Sequence, residues 1–182
     1  MVLDIFDKRR SVRKYKNEAV EREKIIACLE AARLAPSACN SQPWRFIVID
    51  EPSIREKACE AALKGIVGIN MFLRDAPVVV AVLSRRKIYL DILGKYFRKT
   101  DYCLTDIGIA GEHFCLQAAY LGLGTCWVGW FNGGALKKEL GLGRLVKIEY
   151  LITIGYPADI RCEKNRKQMN EIASWNRDGF RR

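Results

Sequence analysis

Arg9, Arg10, Ser11 and Arg13 bring three guanidinium groups and one hydroxyl into five consecutive positions near the N-terminus. Guanidinium groups bind phosphate and carboxylate oxygens through paired hydrogen bonds, and a hydroxyl adds a further donor. The segment is therefore a candidate anion-binding site. A solvated basic turn has the same composition, so these residues alone leave both interpretations open.

A second candidate lies between residues 35 and 46, where a helical pattern gives way to a strand pattern. Pro36 ends the helical pattern, because proline disfavours helix at the preceding residue. Ser37, Asn40 and Gln42 then supply a hydroxyl and two amides. Loops of this composition expose backbone donors and short polar side chains, and ligands commonly bind to them.

Several common catalytic arrangements find no support in the sequence. The only histidine, His113, lies in a helical pattern without a metal-ligand or triad partner at a suitable spacing, which indicates a structural residue. Gly122 and Gly124 do not extend into a dinucleotide fingerprint, because Trp127 occupies the third glycine position. The seven cysteines include no Cys-x-x-Cys pair. This predicts reduced and mostly buried thiols rather than a metal site. Cys39 is the exception, because it lies in the polar loop between residues 35 and 46.

The bulk properties indicate one compact domain, residues 1–182, with a sizeable core. The net charge is +10, and the excess basic residues gather at 8–16, 85–99 and 161–182. Such separated clusters argue against a protein that follows a nucleic acid groove. We find no membrane-spanning run and no leader pattern, so we expect a cytoplasmic protein without membrane association.

The elements that must position these residues follow from hydrophobic periodicity and β-branched runs. The predicted helices are 2–8, 20–34, 53–64, 65–74, 101–121 and 135–140, and the predicted extended segments are 46–50, 77–83, 122–131 and 148–154. Ser53 with Glu56 is expected to form a capping box at the start of its helix. This order predicts an α+β fold with helices on both sides of a small sheet.

Five stretches occur together in an order that resembles the FMN-dependent nitroreductase family: 9–15, 29–46, 76–80, 122–127 and 154–157. The resemblance runs from about residue 6 to residue 172. It implies the three-layer fold of that family, with a small mixed or antiparallel central sheet flanked by helices. It also implies a homodimer with FMN at the subunit interface and a C-terminal tail that docks on the partner subunit.

The resemblance also implies roles for single residues. Arg9, Arg10 and Ser11 match residues that contact the phosphate and ribityl chain of FMN. Arg13 matches a basic residue beside the N1–O2 edge of the flavin, where two-electron reduction places negative charge. Asn70 matches a residue at the pyrimidine edge, although a surface amide would look the same in the sequence.

Two further sets complete the implied site. Pro36, Ser37 and Asn40 match residues that line the flavin held by the other subunit, so the dimer would build the site. Lys164 and Arg166 match a pair that closes on the FMN phosphate.

The implied activity is ping-pong hydride transfer. NADH or NADPH reduces the flavin at N5 and leaves, and an electron-poor small molecule such as a nitroaromatic or a quinone is then reduced in the same pocket. Val128, Gly129 and Trp130 match the segment whose backbone approaches N5, and glycine permits a close approach. No catalytic side chain and no metal is required, because the flavin carries the chemistry.

Three alternatives stay open at the level of sequence. The first is a specialised flavoenzyme of the same fold that acts on a substrate without a nitro group. The others are a flavin-binding protein without turnover and a basic nucleic-acid-binding protein. The cluster at 85–99 has no match in the family pattern, and it is either a solvated face or a surface that attracts anionic NAD(P)H.

Overall fold

A computed structural model describes residues 1–84, 100–159 and 164–178 as an α+β fold. The helices are α1 (Asp4–Lys8), α2 (Arg22–Arg33), α3 (Pro52–Leu63), α4 (Tyr102–Tyr120), α5 (Gly133–Glu139) and α6 (Met169–Ile172), and the strands are β1 (Trp44–Ile49), β2 (Val78–Ser84), β3 (Gly124–Val128) and β4 (Lys147–Gly155). Two 3₁₀ helices cover Ala38–Asn40 and Met71–Arg74. The basic cluster at 85–99 lies outside the described residues.

The four strands form one sheet in the order β1-β2-β4-β3, and every neighbouring pair is antiparallel. Val80 of β2 lies opposite Val48 of β1 and Ile152 of β4. Every residue of β2 is buried, which is why its sequence is an uninterrupted apolar run rather than an alternating one. The predicted central strand is confirmed.

Successive residues of β2 face opposite layers, as the pleat of a strand requires. Val80 and Val82 pack in a core with α2 and α4 on one face of the sheet. Val79 and Ala81 pack in a second core with α3 and α5 on the other face. This is the three-layer α+β fold that the sequence predicts. No helix in the described ranges is both long and apolar enough to cross a bilayer.

Two local expectations are wrong. Helix α3 begins one residue before Ser53, and its cap is Glu51, whose carboxylate accepts hydrogen bonds from the backbone N–H groups of Ser53 (3.2 Å) and Ile54 (2.8 Å). Pro52 occupies the first helical position, where its fixed φ and missing N–H cost nothing. Only Met71–Arg74 of the predicted helix 65–74 is helical, because Gly65, Gly68 and Asn70 adopt positive φ.

Gly111 of α4 lies directly against the indole ring of Trp127. A Cβ atom at position 111 would stand 2.2 Å from Cη2 of Trp127. That ring is held by an edge-to-face contact with Tyr150, with centroids 5.3 Å apart. Glycine at 111 is therefore a packing requirement, since a methyl group has no space unless the indole moves.

We expect Gly111→Ala to lower the free energy of unfolding by about 1–3 kcal/mol, because the methyl group overpacks the α4–β3 contact. The matched control is Gly108→Ala on the same helix, where an added Cβ meets nothing within 4 Å. That control should raise stability by up to about 1 kcal/mol through helix propensity. Urea denaturation of both variants tests the contact, and equal stabilities would contradict it.

Candidate active site

The N-terminal segment that carries the basic residues lies along the outer edge of β3. The backbone N–H of Val12 donates to the carbonyl of Thr125 at 2.9 Å, and Ser11 forms a parallel bridge with the same residue. Gly124 makes this close approach possible, since a Cβ there would lie 2.6 Å from the Val12 side chain. The glycine at 124 thus serves strand packing, with the segment 9–13 fixed beside it.

Tyr15 fixes the other end of this segment. Its hydroxyl donates to the carbonyl of Val12 at 2.6 Å, and Oγ1 of Thr153 on β4 lies 2.6 Å from the same hydroxyl. Burial raises the pKa of Tyr15 well above its ordinary value, although the Thr153 hydrogen bond opposes that rise. Tyr15 therefore stays protonated and remains a donor, so the segment keeps its position on the sheet.

Arg9 is oriented by α4. Its Nε lies 2.9 Å from Oε1 of Glu112, and the Arg9 side chain is only 18% exposed. Because Glu112 occupies one edge of the guanidinium, the remaining N–H groups are left to bind another acceptor. Sequence reasoning missed Glu112. The only signal was a carboxylate on a largely apolar helix, where unpaired acidic residues are rare.

Lys164 brings the C-terminal tail onto α1. Its Nζ donates to the carbonyl of Phe6 and lies 3.9 Å from Oδ1 of Asp7, and its side chain is 20% exposed. Partial burial lowers the pKa of Lys164, and the negative charge of Asp7 opposes that effect. The lysine is thus held in place against the N-terminal helix.

Lys164 lies within electrostatic range of three arginines, and these four side chains are here called the cationic group: Arg9, Arg10, Lys164 and Arg166. The three arginines each contribute to the lowered pKa of Lys164, after burial. Like charges repel each other, so an anion bound among these side chains would stabilise the arrangement. The structure therefore brings together the two ends of the chain that the sequence predicts to share one phosphate.

Arg13 and Asn70 both lie at the 3₁₀ helix Met71–Arg74. The guanidinium carbon of Arg13 stands 5.7 Å from the centre of the Phe72 ring, within the range of a cation–π contact. Asn70 has φ of 61°, which asparagine tolerates better than most residues. Its Nδ2 donates to the backbone carbonyl of Trp130 at 2.9 Å. The structure thus brings Asn70 to the 128–130 segment.

The segment 128–130 changes from buried to exposed within three residues. The Val128 side chain lies in the core, Gly129 is exposed, and the Trp130 side chain is 68% exposed. A Cβ at Gly129 would have its nearest described neighbour, a Tyr150 ring carbon, at 3.9 Å. Packing within the described chain therefore does not require glycine at 129, and a close external group would explain it.

The polar loop is held by Asp106 of α4, whose buried carboxylate accepts hydrogen bonds from the Ala38 N–H (3.1 Å) and the Ser41 hydroxyl (3.2 Å). Ser37 Oγ accepts from the Gln42 N–H at 3.0 Å. Asp106 is a second carboxylate that sequence reasoning missed. The loop backbone is unusual, since it includes three positive-φ residues that are not glycine, Cys39, Asn40 and Gln42.

The loop with Pro36, Ser37 and Asn40 and the basic residue Arg9 are attached to α4 at different points. Asp106 accepts hydrogen bonds from the loop, whereas Glu112, six residues further along the helix, pairs with Arg9. Across residues 1–84, 100–159 and 164–178, no hydrogen bond or ion pair joins Pro36, Ser37 or Asn40 to Arg9 or Arg13.

The histidine and the buried cysteines behave as structural residues. Nδ1 of His113 lies 3.3 Å from the carbonyl of Ala31, which links α4 to α2. Burial raises the pKa of Cys28 to about 12. Burial also raises the pKa of Cys115 to about 12, although a hydrogen bond with Thr125 opposes that rise. Cys39 is the exposed cysteine among those described. Within the described ranges no cluster of three His, Cys, Asp or Glu side chains could hold a metal ion.

Comparison with known proteins identifies the family. The Nitroreductase family model matches residues 7–156. A candidate NADH dehydrogenase/NAD(P)H nitroreductase of Archaeoglobus fulgidus is 34% identical over 155 residues, which cover 83% of this chain and 82% of the relative. The solved structure of an FMN-dependent nitroreductase from Clostridium difficile R20291 has 29% identity and a TM-score of 0.74, covering 96% of this chain and 98% of that one. The solved structure of a nitroreductase family protein from Clostridium difficile 630 has 29% identity and a TM-score of 0.78, and the match covers 97% of this chain and 99% of that one. The chain belongs to the Nitroreductase family of oxidoreductases.

Proposed function

We propose that this protein binds FMN and transfers hydride from NADH or NADPH to an electron-poor small molecule such as a nitroaromatic or a quinone. The observation that carries the proposal is the cationic group, which joins residues from both ends of the chain. Relatives whose names specify FMN or NAD(P)H support the choice of cofactor and donor. FMN, when bound, supplies the hydride-transfer chemistry.

The cationic group fits the phosphate of FMN. The carboxylate of Glu112 contacts Nε of Arg9. The other N–H groups of the guanidinium can therefore bind phosphate oxygens in a fixed orientation. Lys164 is anchored through the Phe6 carbonyl and supplies a point charge. A dianionic phosphate would relieve the repulsion among the four cations. Ser11 is an exposed residue two positions after Arg9, and its hydroxyl would be a further donor to the phosphate.

Arg13, Asn70 and Gly129 fit the ring system of the cofactor. Arg13 would place a fixed positive charge beside the pyrimidine portion, where it stabilises the reduced ring. Asn70 is held by its hydrogen bond to the carbonyl of Trp130, so its amide oxygen is presented in one orientation. The backbone at Gly129 is exposed and free of crowding, which suits close contact with a planar ring.

We further propose that the active protein is a homodimer. Within the described residues, the loop with Pro36, Ser37 and Asn40 makes no hydrogen bond or ion pair to the cationic group, so a second copy could bring the two sets together. The C-terminal tail supports this, because Met169, Ile172 and Trp175 are all exposed and the Trp175 side chain is 89% exposed. Large apolar side chains exposed in one segment commonly mark an interaction surface.

The compartment and partners complete the proposal. The described cysteines are free thiols, and free thiols persist in a reducing compartment. We therefore place the protein in the cytoplasm, and we propose no nucleic acid or membrane partner because its basic residues are dispersed.

The proposed function predicts that the purified protein takes up FMN and that NADH or NADPH bleaches the flavin absorbance under anaerobic conditions. Adding a nitroaromatic or a quinone should restore the absorbance. A chain that does not bind FMN would overturn the proposal. A bound flavin that neither donor reduces would indicate a flavoprotein without this turnover.

Arg166→Ala should weaken FMN binding about 10- to 100-fold, because it removes a charge-assisted hydrogen bond to phosphate. Lys167→Ala is the matched control, since Lys167 is a neighbouring exposed residue outside the cationic group. Quenching of flavin fluorescence measures both affinities. Full flavin retention by Arg166→Ala, or an equal loss in the control, would show that the phosphate assignment is wrong.

A site shared between subunits predicts complementation between two variants that each lack activity at limiting FMN. Arg166→Ala weakens FMN binding at the phosphate side, so activity is assayed at an FMN concentration that fills the unaltered protein but not this variant. Pro36→Trp fills the space that the loop would present to the partner's flavin. Refolding the two together should recover about a quarter of the normal activity, because half of the dimers are mixed and each mixed dimer contains one intact site. Each variant alone, checked for folding by circular dichroism, is the control. A mixture without activity would contradict the shared site.

A further inference from the structure

The side chains of Asn40 and Gln42 form a local hydrogen-bond network within the polar loop. Nε2 of Gln42 donates to the backbone carbonyl of Asn40 at 3.3 Å and to the side-chain Oδ1 of the same residue at 2.9 Å. Both residues are exposed, so in a single chain the network faces solvent. The proposed function uses Asn40, but it assigns no role to Gln42.

This network fixes the polarity of the Asn40 amide. A backbone carbonyl can only accept a hydrogen bond, so the Gln42 atom that contacts the Asn40 carbonyl must be an NH₂ nitrogen. The same nitrogen contacts the side chain of Asn40, and the atom that it meets there must therefore be the amide oxygen. The NH₂ group of Asn40 remains available, because within the described residues its Nδ2 donates to no protein atom. Asn40 thus offers a hydrogen-bond donor.

The backbone of the loop is held on both sides of Asn40. The buried carboxylate of Asp106 accepts hydrogen bonds from the N–H of Ala38 and the hydroxyl of Ser41. Gln42 follows directly and has φ of 46°, a conformation that is unfavourable for residues other than glycine. Glycine would adopt this φ without strain, so the side chain of Gln42, and not its backbone, gives this position its use.

We propose that Gln42 is a positioning residue, which presents the Asn40 amide as a hydrogen-bond donor to an acceptor atom of the flavin bound by the partner subunit. The inference rests on the proposed function, in which this loop lines the partner's flavin. Two-electron reduction adds negative charge to the pyrimidine portion of a flavin, and a donor that is already oriented stabilises such charge. The network therefore favours binding of reduced FMN over oxidised FMN.

Gln42→Glu tests this role, because it keeps the size of the side chain but replaces its donor with an acceptor. The Asn40 amide should then turn over, so that its NH₂ group donates to the new carboxylate and its oxygen faces the flavin. Binding of reduced FMN should weaken about tenfold more than binding of oxidised FMN, since the flavin acceptor loses its donor. For a two-electron couple this lowers the midpoint potential of the bound flavin by about 30 mV, which spectroelectrochemical titration of the holoprotein measures.

The introduced carboxylate also adds a negative charge, so the same substitution is made in an Asn40→Ala protein as the control. There the change in the ratio of the two FMN affinities should be at least about threefold smaller, because the amide through which Gln42 acts is absent. Gln42→Gly removes the side-chain amide without adding charge, and it should also lower the potential while urea denaturation shows a folded protein. Equal changes in both backgrounds, or an unchanged potential in Gln42→Gly, would overturn the proposal.

The orientation of the two amides is also measured before FMN is added. In ¹⁵N NMR spectra of the full chain, the Nε2 protons of Gln42 should exchange with water more slowly than the Nδ2 protons of Asn40, because only the former are bonded to protein acceptors. The reverse order would overturn the proposal. Failure of the unaltered protein to bind FMN would overturn the proposed function and this inference with it. Normal FMN binding with equal potentials in all variants would overturn only the role of Gln42.

Discussion

The attachment of the N-terminal segment to the edge of β3 is the constraint on which the site depends. Val12 bonds to Thr125, and the buried hydroxyl of Tyr15 ties this segment to β4. Arg9 precedes the attached residues and Arg13 lies among them. The attachment to β3 therefore fixes the distance between Arg9, which would bind the FMN phosphate, and Arg13, which would contact the flavin ring. A side chain at Gly124 would displace both together.

The cationic group contains more positive charges than the neighbouring carboxylates neutralise, so its members repel one another. Ion pairs between solvated surface charges usually contribute little to the free energy of unfolding. Here Glu112 and Asp7 orient Arg9 and Lys164, yet the positive charges of the cationic group still outnumber them. Such an arrangement would lower the stability of the free chain locally, and binding of an anion would offset that cost. Four of the positive charges that contribute to the net charge of +10 thus belong to the proposed flavin site.

The sequence predicts those features whose causes are local. The β-branched run of β2 and the periodicity of α4 identify buried elements, because side-chain pattern and burial coincide there. The cap of α3 could not be assigned in the same way, since Glu51 and Ser53 are both competent and the choice depends on Pro52. The roles of Asp106 and Glu112 were not predictable either. Asp106 bonds to a residue 68 positions away, and such a pairing exists only in the folded chain.

The loop with three residues at positive φ has a consequence for how two copies would meet. Positive φ at residues other than glycine is energetically unfavourable and persists only where surrounding structure enforces it. Asp106 enforces it here from within the same chain. The loss of backbone entropy therefore accompanies folding of the monomer, not association. A surface ordered in advance binds its partner with a smaller entropic penalty, so assembly of a dimer would resemble rigid docking rather than coupled folding.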